Sequence, residues 1–409
     1  MTNVAPPVNP GDLDNYFGNK GIQLIKHHNH GVFRCHGLNL STDGKLLVAG
    51  SHAPVAELSH YSLQRCTANG QLDKTFGVNG YSDGQFTSDA ALSSTALKTF
   101  TLENSRLLLF GMFNSSRGEP LPAFARLHTN GQLDTTFGDG GKFVSRSPLP
   151  TDGGSPINSY LGACIQSTKN IVSVHPHAWE DEVPYVILRI TEDGQQDVHF
   201  NEDEAYVDIS QPGGEKIYLT AIAVQTDDKF LVCGYSEDFR GIKTGIILRF
   251  EKDGKTDSTF AVRGVFRKQD WRFEHLVVLD YRILCCGSTT SGEALLVLLD
   301  HDGELLGEPS ITPADISSRW TKMAYQDNKI VVTGETQGDF GSQFLVARFN
   351  NDTTLDQSFG VEGCVSINFG GINSKAVDLI VDANQGIVVL TSARQPVGDE
   401  QFFLARILS

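Results

Sequence analysis

The chain has 409 residues, a formal net charge of -16 and seven cysteines. That charge repels phosphate backbones and no local basic patch offsets it, so nucleic acid is a poor partner and the acidity is read as serving solubility. No apolar run is long enough to span a bilayer, and Met1–Pro10 has neither the basic nor the apolar region of a cleavable secretion signal, which predicts a cytoplasmic protein or one exported without such a signal, and no membrane insertion.

Read from its beginning, the chain repeats itself. PGDLDNYFGNKG (Pro10–Gly21) returns as ANGQLDKTFGVNG (Ala68–Gly80) and TNGQLDTTFGDGG (Thr129–Gly141). It returns again, altered, as EDGQQDVHF (Glu192–Phe200), KDGKTDSTF (Lys252–Phe260) and NDTTLDQSFGVEG (Asn351–Gly363). A second word, rich in Val, Ile and Leu, starts at residues 44, 105, 169, 228, 281, 328 and 385, each copy following a turn. Each copy reads as a hairpin strand. A strand candidate precedes it, another follows it, and the LDxTFG loop then leads to a short fourth strand such as Lys142–Arg146.

Four strands in each of seven units predict an all-β, seven-bladed β-propeller. The predicted blades are 31–86, 92–146, 157–209, 217–268, 272–311, 317–368 and 373–409 with 11–26, in one domain over 1–409. The last unit stops after its third strand, and the chain begins with the missing loop and the strand Ile22–Lys26. The amino-terminal strand is therefore expected to complete the carboxy-terminal blade, whereas an open solenoid would need capping units.

The DGxLDxTFGxxG word followed by a β-rich unit resembles the delta-60 repeat of bacterial proteins along essentially the whole chain. The resemblance implies the repeat and a bacterial source, and brings no common chemistry with it.

A residue repeated in blade after blade is scaffold before it is site. Asp73, Asp134, Asp257 and Asp356 are expected to cap turns, and Phe76, Phe137, Phe260 and Phe359 to plug the seams between blades. The glycines after those plugs, Gly77, Gly138 and Gly360, supply backbone freedom. Third strands carry an arginine at one fixed place, among them Arg126, Arg249 and Arg348, eight residues before the motif aspartate. Blade five has lost both, with Leu298 and Leu306 in their places. Joint loss predicts a buried charge pair within each blade.

Function is expected on the opposite face, where loops between strands two and three and between blades differ in every unit. Trp179 lies in such a loop, while Trp271–Arg272 and Arg319–Trp320 follow blade junctions. An amphipathic ring beside a guanidinium suits sugars, peptides or acidic ligands, although such rings also plug channels. His175 and His177 stand two apart in an extended loop and Arg240 sits in another. The histidine pair has no third dedicated ligand, so no metal and no cofactor are assigned. His27, His28 and His30 cluster at the first junction, where imidazoles would titrate near neutrality. The chain carries no nucleophile elbow, P-loop, dinucleotide-binding glycine pattern, HExxH or CxxC. The expected function is a ligand-binding or interaction module for a carbohydrate, peptide or protein partner. The alternatives are a carbohydrate-active enzyme or lyase on the same face, and a structural scaffold. The scattered cysteines fit a protein that does not rely on disulfides.

Overall fold

The structure is a computed structural model and describes residues 9–29, 31–54, 58–88, 92–114, 120–145, 162–176, 185–209, 215–279, 281–312, 318–338, 341–382, 386–395 and 398–409. It holds seven four-stranded antiparallel sheets, each built from strands consecutive in sequence except the last. In that sheet Ile22–Ile25 pairs with Glu400–Ile407, Ile22 lying opposite Ala405 and Ile25 opposite Phe402. The first strand of the chain thus forms the outer edge of blade seven and closes the ring. Sheets that close on one another in this way leave only short edges.

The apolar second strands occupy the middle of each blade because both their faces are buried. In blade one, Leu47 and Ala49 pack towards Phe86, Leu107 and Leu109 of the blade one and two seam. Leu46 and Val48, between them, pack towards Val388, Leu390 and Leu404 of blade seven. The period-two alternation of a strand therefore divides one apolar run between two seams. All seven cysteines are free, and all but Cys364 are buried in this strand packing.

First strands line the axis, and six of them carry a register irregularity at the same place, with His36, Leu97, Thr220, Glu274, Thr321 and Val377 as the extra residues. A bulge re-aims side chains. Here it lets two consecutive residues leave the interblade core, as Glu274 and His275 do between buried Phe273 and buried Leu276.

The repeated loops fasten each blade to the next. Arg65 Nε donates to Asp73 Oδ2 at 2.9 Å, and the same bond joins Arg126 to Asp134, Arg189 to Asp197, Arg249 to Asp257 and Arg348 to Asp356. Arg406 makes it to Asp14, 392 residues away in sequence, across the closed ring. The guanidinium then reaches the neighbouring blade: Arg65 Nη1 donates to the Thr129 carbonyl at 2.6 Å and Arg126 Nη1 to that of Glu192 at 3.0 Å. Each arginine also lies over its own motif phenylalanine, Arg65 at 4.6 Å from the Phe76 centroid. Phe17, Phe76, Phe137, Phe200, Phe260 and Phe359 are all fully buried.

Phe17, Phe76, Phe137, Phe200 and Phe260 each cover the turn glycine of the next blade, Gly70, Gly131, Gly194, Gly254 and Gly303. A Cβ at Gly131, where φ is +86°, would stand 3.0 Å from the Phe76 ring. Blade five has no plug to offer, and the corresponding turn of blade six carries Thr353 at φ 66° instead of glycine. Arginine, aspartate, phenylalanine and the glycine it covers have thus been lost together at one seam, a fuller loss than the charge pair alone.

Candidate functional site

The structure separates the tryptophans from the arginines beside them. Trp271 and Trp320 are 6% and 1% exposed, buried in the seams of blades four–five and five–six. Their rings meet Phe273 and Phe349 edge-on, with centroids 6.0 and 6.3 Å apart. Strand alternation explains this: Trp271 and Trp320 occupy the inward phase of their first strands and Arg272 and Arg319 the outward phase. His175 is also corrected: it belongs to the strand Ile171–Pro176 and is fully buried. Trp179 and His177 lie outside the described residues. Arg240 is at an exposed turn, held by Asp238, and stands apart from the other candidates.

Arg272 and Arg319 come together at one cavity of about 330 Å³ on the junction face of blades five and six. Ser288, Thr289, Thr290, Gly292, Ser318 and Glu335 complete its lining. The register shows how the sequence builds it. Tyr218 pairs with Tyr235, Arg272 with Ser288 and Arg319 with Glu335, the same outward-facing cross-strand place in three consecutive blades. The loop between strands two and three of blade five is held rigidly beside it, with Thr289 Oγ donating to Glu293 at 3.1 Å and the Ser318 amide to the Gly292 carbonyl at 2.7 Å.

The electrostatics are mixed. Arg319 Nε donates to Glu335 Oε1 at 2.9 Å, and its Nη1 lies 3.8 Å from Glu274 Oε1. Burial pushes the Glu274 carboxyl above its ordinary range, against the pull of Arg319, Lys322 and Arg272. Arg272 lies 5.4 Å over the Tyr235 ring, which itself stacks on Tyr218 at 4.8 Å. Burial raises the Tyr235 hydroxyl as well, Arg272 opposing it. Arg272 Nε, Ser318 Oγ and Glu335 Oε2 are buried without a hydrogen-bond partner, and Ser318 is only 8% exposed. Buried polar atoms are ordinarily paired, so three orphans around one polar cavity mark a place where a hydrogen-bonding guest fits.

Tyr218, Glu274, Ser318 and Glu335 escaped the reading of the sequence. The place directly after the second-strand glycine was legible, however: Tyr235, Ser288 and Glu335 stand there in blades four, five and six.

The family described as a domain of unknown function (DUF5122) beta-propeller matches residues 42–76, 104–137, 225–260 and 326–359. Those stretches run from the first turn to the motif phenylalanine in blades one, two, four and six. No curated protein is detectably similar in sequence. Among solved structures, the polysaccharide lyase Uly1 superposes with a TM-score of 0.55 at 10% identity, covering 100% of this chain and 94% of the lyase. Drosophila Semaphorin 2a gives 0.50 at 9% identity, covering 98% and 76%. At such identities the likeness is one of fold. Among the described residues no group of histidine, cysteine and carboxylate side chains is arranged to hold a metal, and no helix is long and apolar enough to cross a membrane.

Proposed function

We propose that the protein is a binding module that takes an acidic saccharide on its junction face, at the seams of blades four to six. One observation carries this reading: two guanidinium groups from adjacent blades line a single polar cavity whose walls hold unpaired buried donors and acceptors. A bare anion would be repelled by Glu335. A sugar bearing both hydroxyls and a carboxylate uses every group present. Its hydroxyls donate to Glu335 Oε2 and exchange hydrogen bonds with Ser318, while Arg272 takes the carboxylate. The Tyr218–Tyr235 stack supplies an apolar face for a neighbouring ring. A volume of about 330 Å³ suits one sugar unit at the lower end of ligand pockets. Propellers serve both a polysaccharide lyase and a semaphorin, so the fold is compatible with sugar or protein and decides neither.

The test is calorimetric titration with oligogalacturonate against a neutral cello-oligosaccharide, on wild type and on Arg272→Ala. Binding of the uronate alone, lost in the variant at unchanged melting temperature, supports the reading. Equal binding of both sugars, or none of either, refutes it and leaves the interaction scaffold. A catalytic reading has its own observation, the raised Glu274 carboxyl beside Arg319. A carboxyl pushed above its ordinary range keeps its proton to higher pH, which is the direction a group donating to a leaving oxygen requires. New reducing or unsaturated ends from the same oligosaccharide, abolished by Glu274→Gln, would establish it.

A further inference from the structure

A second, larger cavity of about 630 Å³ opens at the axis from the face of the repeated loops, opposite the cleft just described. First strands of blades one to five all contribute to it, and Glu103, Asn104, Ser167 and Lys169 belong to its rim. Its walls are mainly apolar: Phe100, Ala223, Val224, Val277 and Val278 face it. Besides Asn39, Arg126, Gln166 and Glu192, which also line the cavity, two groups from the first strands break that surface, Lys98 and His275. They stand at the same place in blades two and five, directly after the bulge. Gly37, Ala221, Lys322 and Asp378 hold that place in four other blades.

The carboxylate that acts on Lys98 across the axis is already engaged. Asp378 spends its carboxylate on the backbone, accepting from the Leu38 amide at 2.7 Å and from its own neighbour Leu379 at 2.9 Å. The Lys98 ammonium lies 5.1 Å over the Phe100 ring. Enclosure in the channel holds the Lys98 amine below its ordinary range, Asp378 opposing that effect and Lys322 adding to it. Its side chain nevertheless reaches the channel lumen, for Lys98 is exposed. His275 Nδ1 is buried without a partner. An ammonium and an unpaired imidazole nitrogen set into an apolar wall are what a guest with an anionic head and an apolar body requires.

We propose that the axial channel is a second binding site, for an amphipathic organic anion whose carboxylate meets Lys98 and whose hydrocarbon part lies along Phe100, Val224 and Val277. The site is independent of the saccharide cleft and shares no residue with it. The probe is 4-phenylbutyrate, titrated calorimetrically into wild type, Lys98→Met and Arg272→Ala, with 4-phenylbutanol as the neutral control. One molecule is expected to bind wild type and Arg272→Ala alike, with the alcohol and the Lys98→Met protein each weaker by about tenfold or more. Methionine keeps most of the side-chain bulk, so its loss of affinity reports the charge. If Lys98→Met does not fold, the acid and alcohol on wild type decide. Equal affinity for acid and alcohol, or unchanged affinity in Lys98→Met, overturns the proposal, as does loss of binding in Arg272→Ala, which would put the probe in the cleft.

Discussion

The Arg249–Asp257 pair is the place to test how the repeat stabilises the ring. Their side chains are 4% and 1% exposed and meet at 2.7 Å. The guanidinium also donates to the His301 carbonyl of blade five and sits 4.7 Å over Phe260. Arg249→Leu removes all of this and leaves Asp257 buried. Breaking a buried pair from one side costs about 3–5 kcal/mol. Asp257 keeps Lys229 Nζ at 2.8 Å and the Thr259 hydroxyl at 2.5 Å, so the lower end applies, about 3 kcal/mol. Asp257→Leu leaves the buried Arg249 guanidinium without its carboxylate, while Lys229 keeps Glu251 at 3.0 Å, and about 4 kcal/mol is expected.

The double change Arg249→Leu, Asp257→Leu reproduces the composition of blade five, where Leu298 is 9% exposed. It is expected to cost about 2 kcal/mol less than the sum of the single changes. Equilibrium urea unfolding of the four proteins measures the coupling, provided the two-state criteria hold in each. A coupling below about 0.5 kcal/mol would refute the pairing as an energetic unit, whatever its geometry. Lys229 also bears on the result. If it alone satisfied Asp257, Arg249→Leu would be nearly silent and Lys229→Met costly.

Other predictions address the seams. Trp320→Ala is expected to destabilise by about 3–5 kcal/mol, because it empties a fully buried site, and the same change at Trp271 slightly less; denaturation midpoints within error of wild type would return these rings to the surface. Gly131→Ala combines a positive φ with a contact of 3.0 Å to Phe76 and should lower the melting temperature, whereas Thr353→Gly frees a β-branched residue from φ 66° and should leave it unchanged or raise it; similar melting temperatures for the two would contradict the plug-and-glycine account. The pH dependence has a definite sign. Burial pushes Asp73 up, but Thr75, Lys45 and Arg65 outweigh it and hold the carboxyl well below its ordinary range, and Asp134, Asp257 and Asp356 are held low likewise. A carboxyl depressed in the folded state stabilises above its unfolded value, near 3.9, and that contribution is lost as pH falls towards the folded value. Melting temperature should therefore hold from pH 7 to about 5 and fall below about 4; a fall beginning near 6 would implicate histidines instead.

Much of the fold was legible because it is written seven times. The strand word, the loop word and the incomplete last unit suffice to predict the sheets and the closure, and the absence of Leu298's and Leu306's charged counterparts marks the charge pair. The site was legible only in part. Adjacency in sequence grouped Trp271 with Arg272 and Trp320 with Arg319, yet neighbours in a strand point to opposite faces, so one member of each couple is core and the other lines the cavity. Tyr235 and Glu335 come from second strands and reach the site by cross-strand pairing, which no local window shows. Glu274 depends on a bulge, and one inserted residue reverses the alternation that a strand pattern predicts.

The same seam carries both departures from the repeat. At the face of the repeated loops, the junction of blades five and six has neither the arginine pair nor the phenylalanine plug. At its other end lies the cavity with Arg272, Arg319 and Glu335. What fills the seam between them is Trp320, whose counterparts in other blades are Cys35, Ala96, Leu219, Phe273 and Ala376. It packs with Leu296 and Leu298 of blade five and Ile330 and Phe349 of blade six. The largest residue at that place thus occurs where the loop contributes no ring, and apolar volume has moved from the loop into the first strand. An interior is close-packed, so a ring lost from one part of a seam must be matched by bulk elsewhere if no cavity is to open. With cohesion supplied by Trp320, the polar groups at the junction face are not needed to hold blades five and six together. Arg272, Ser318 and Glu335 are left with hydrogen-bonding capacity unused by the scaffold, which is the condition for a site.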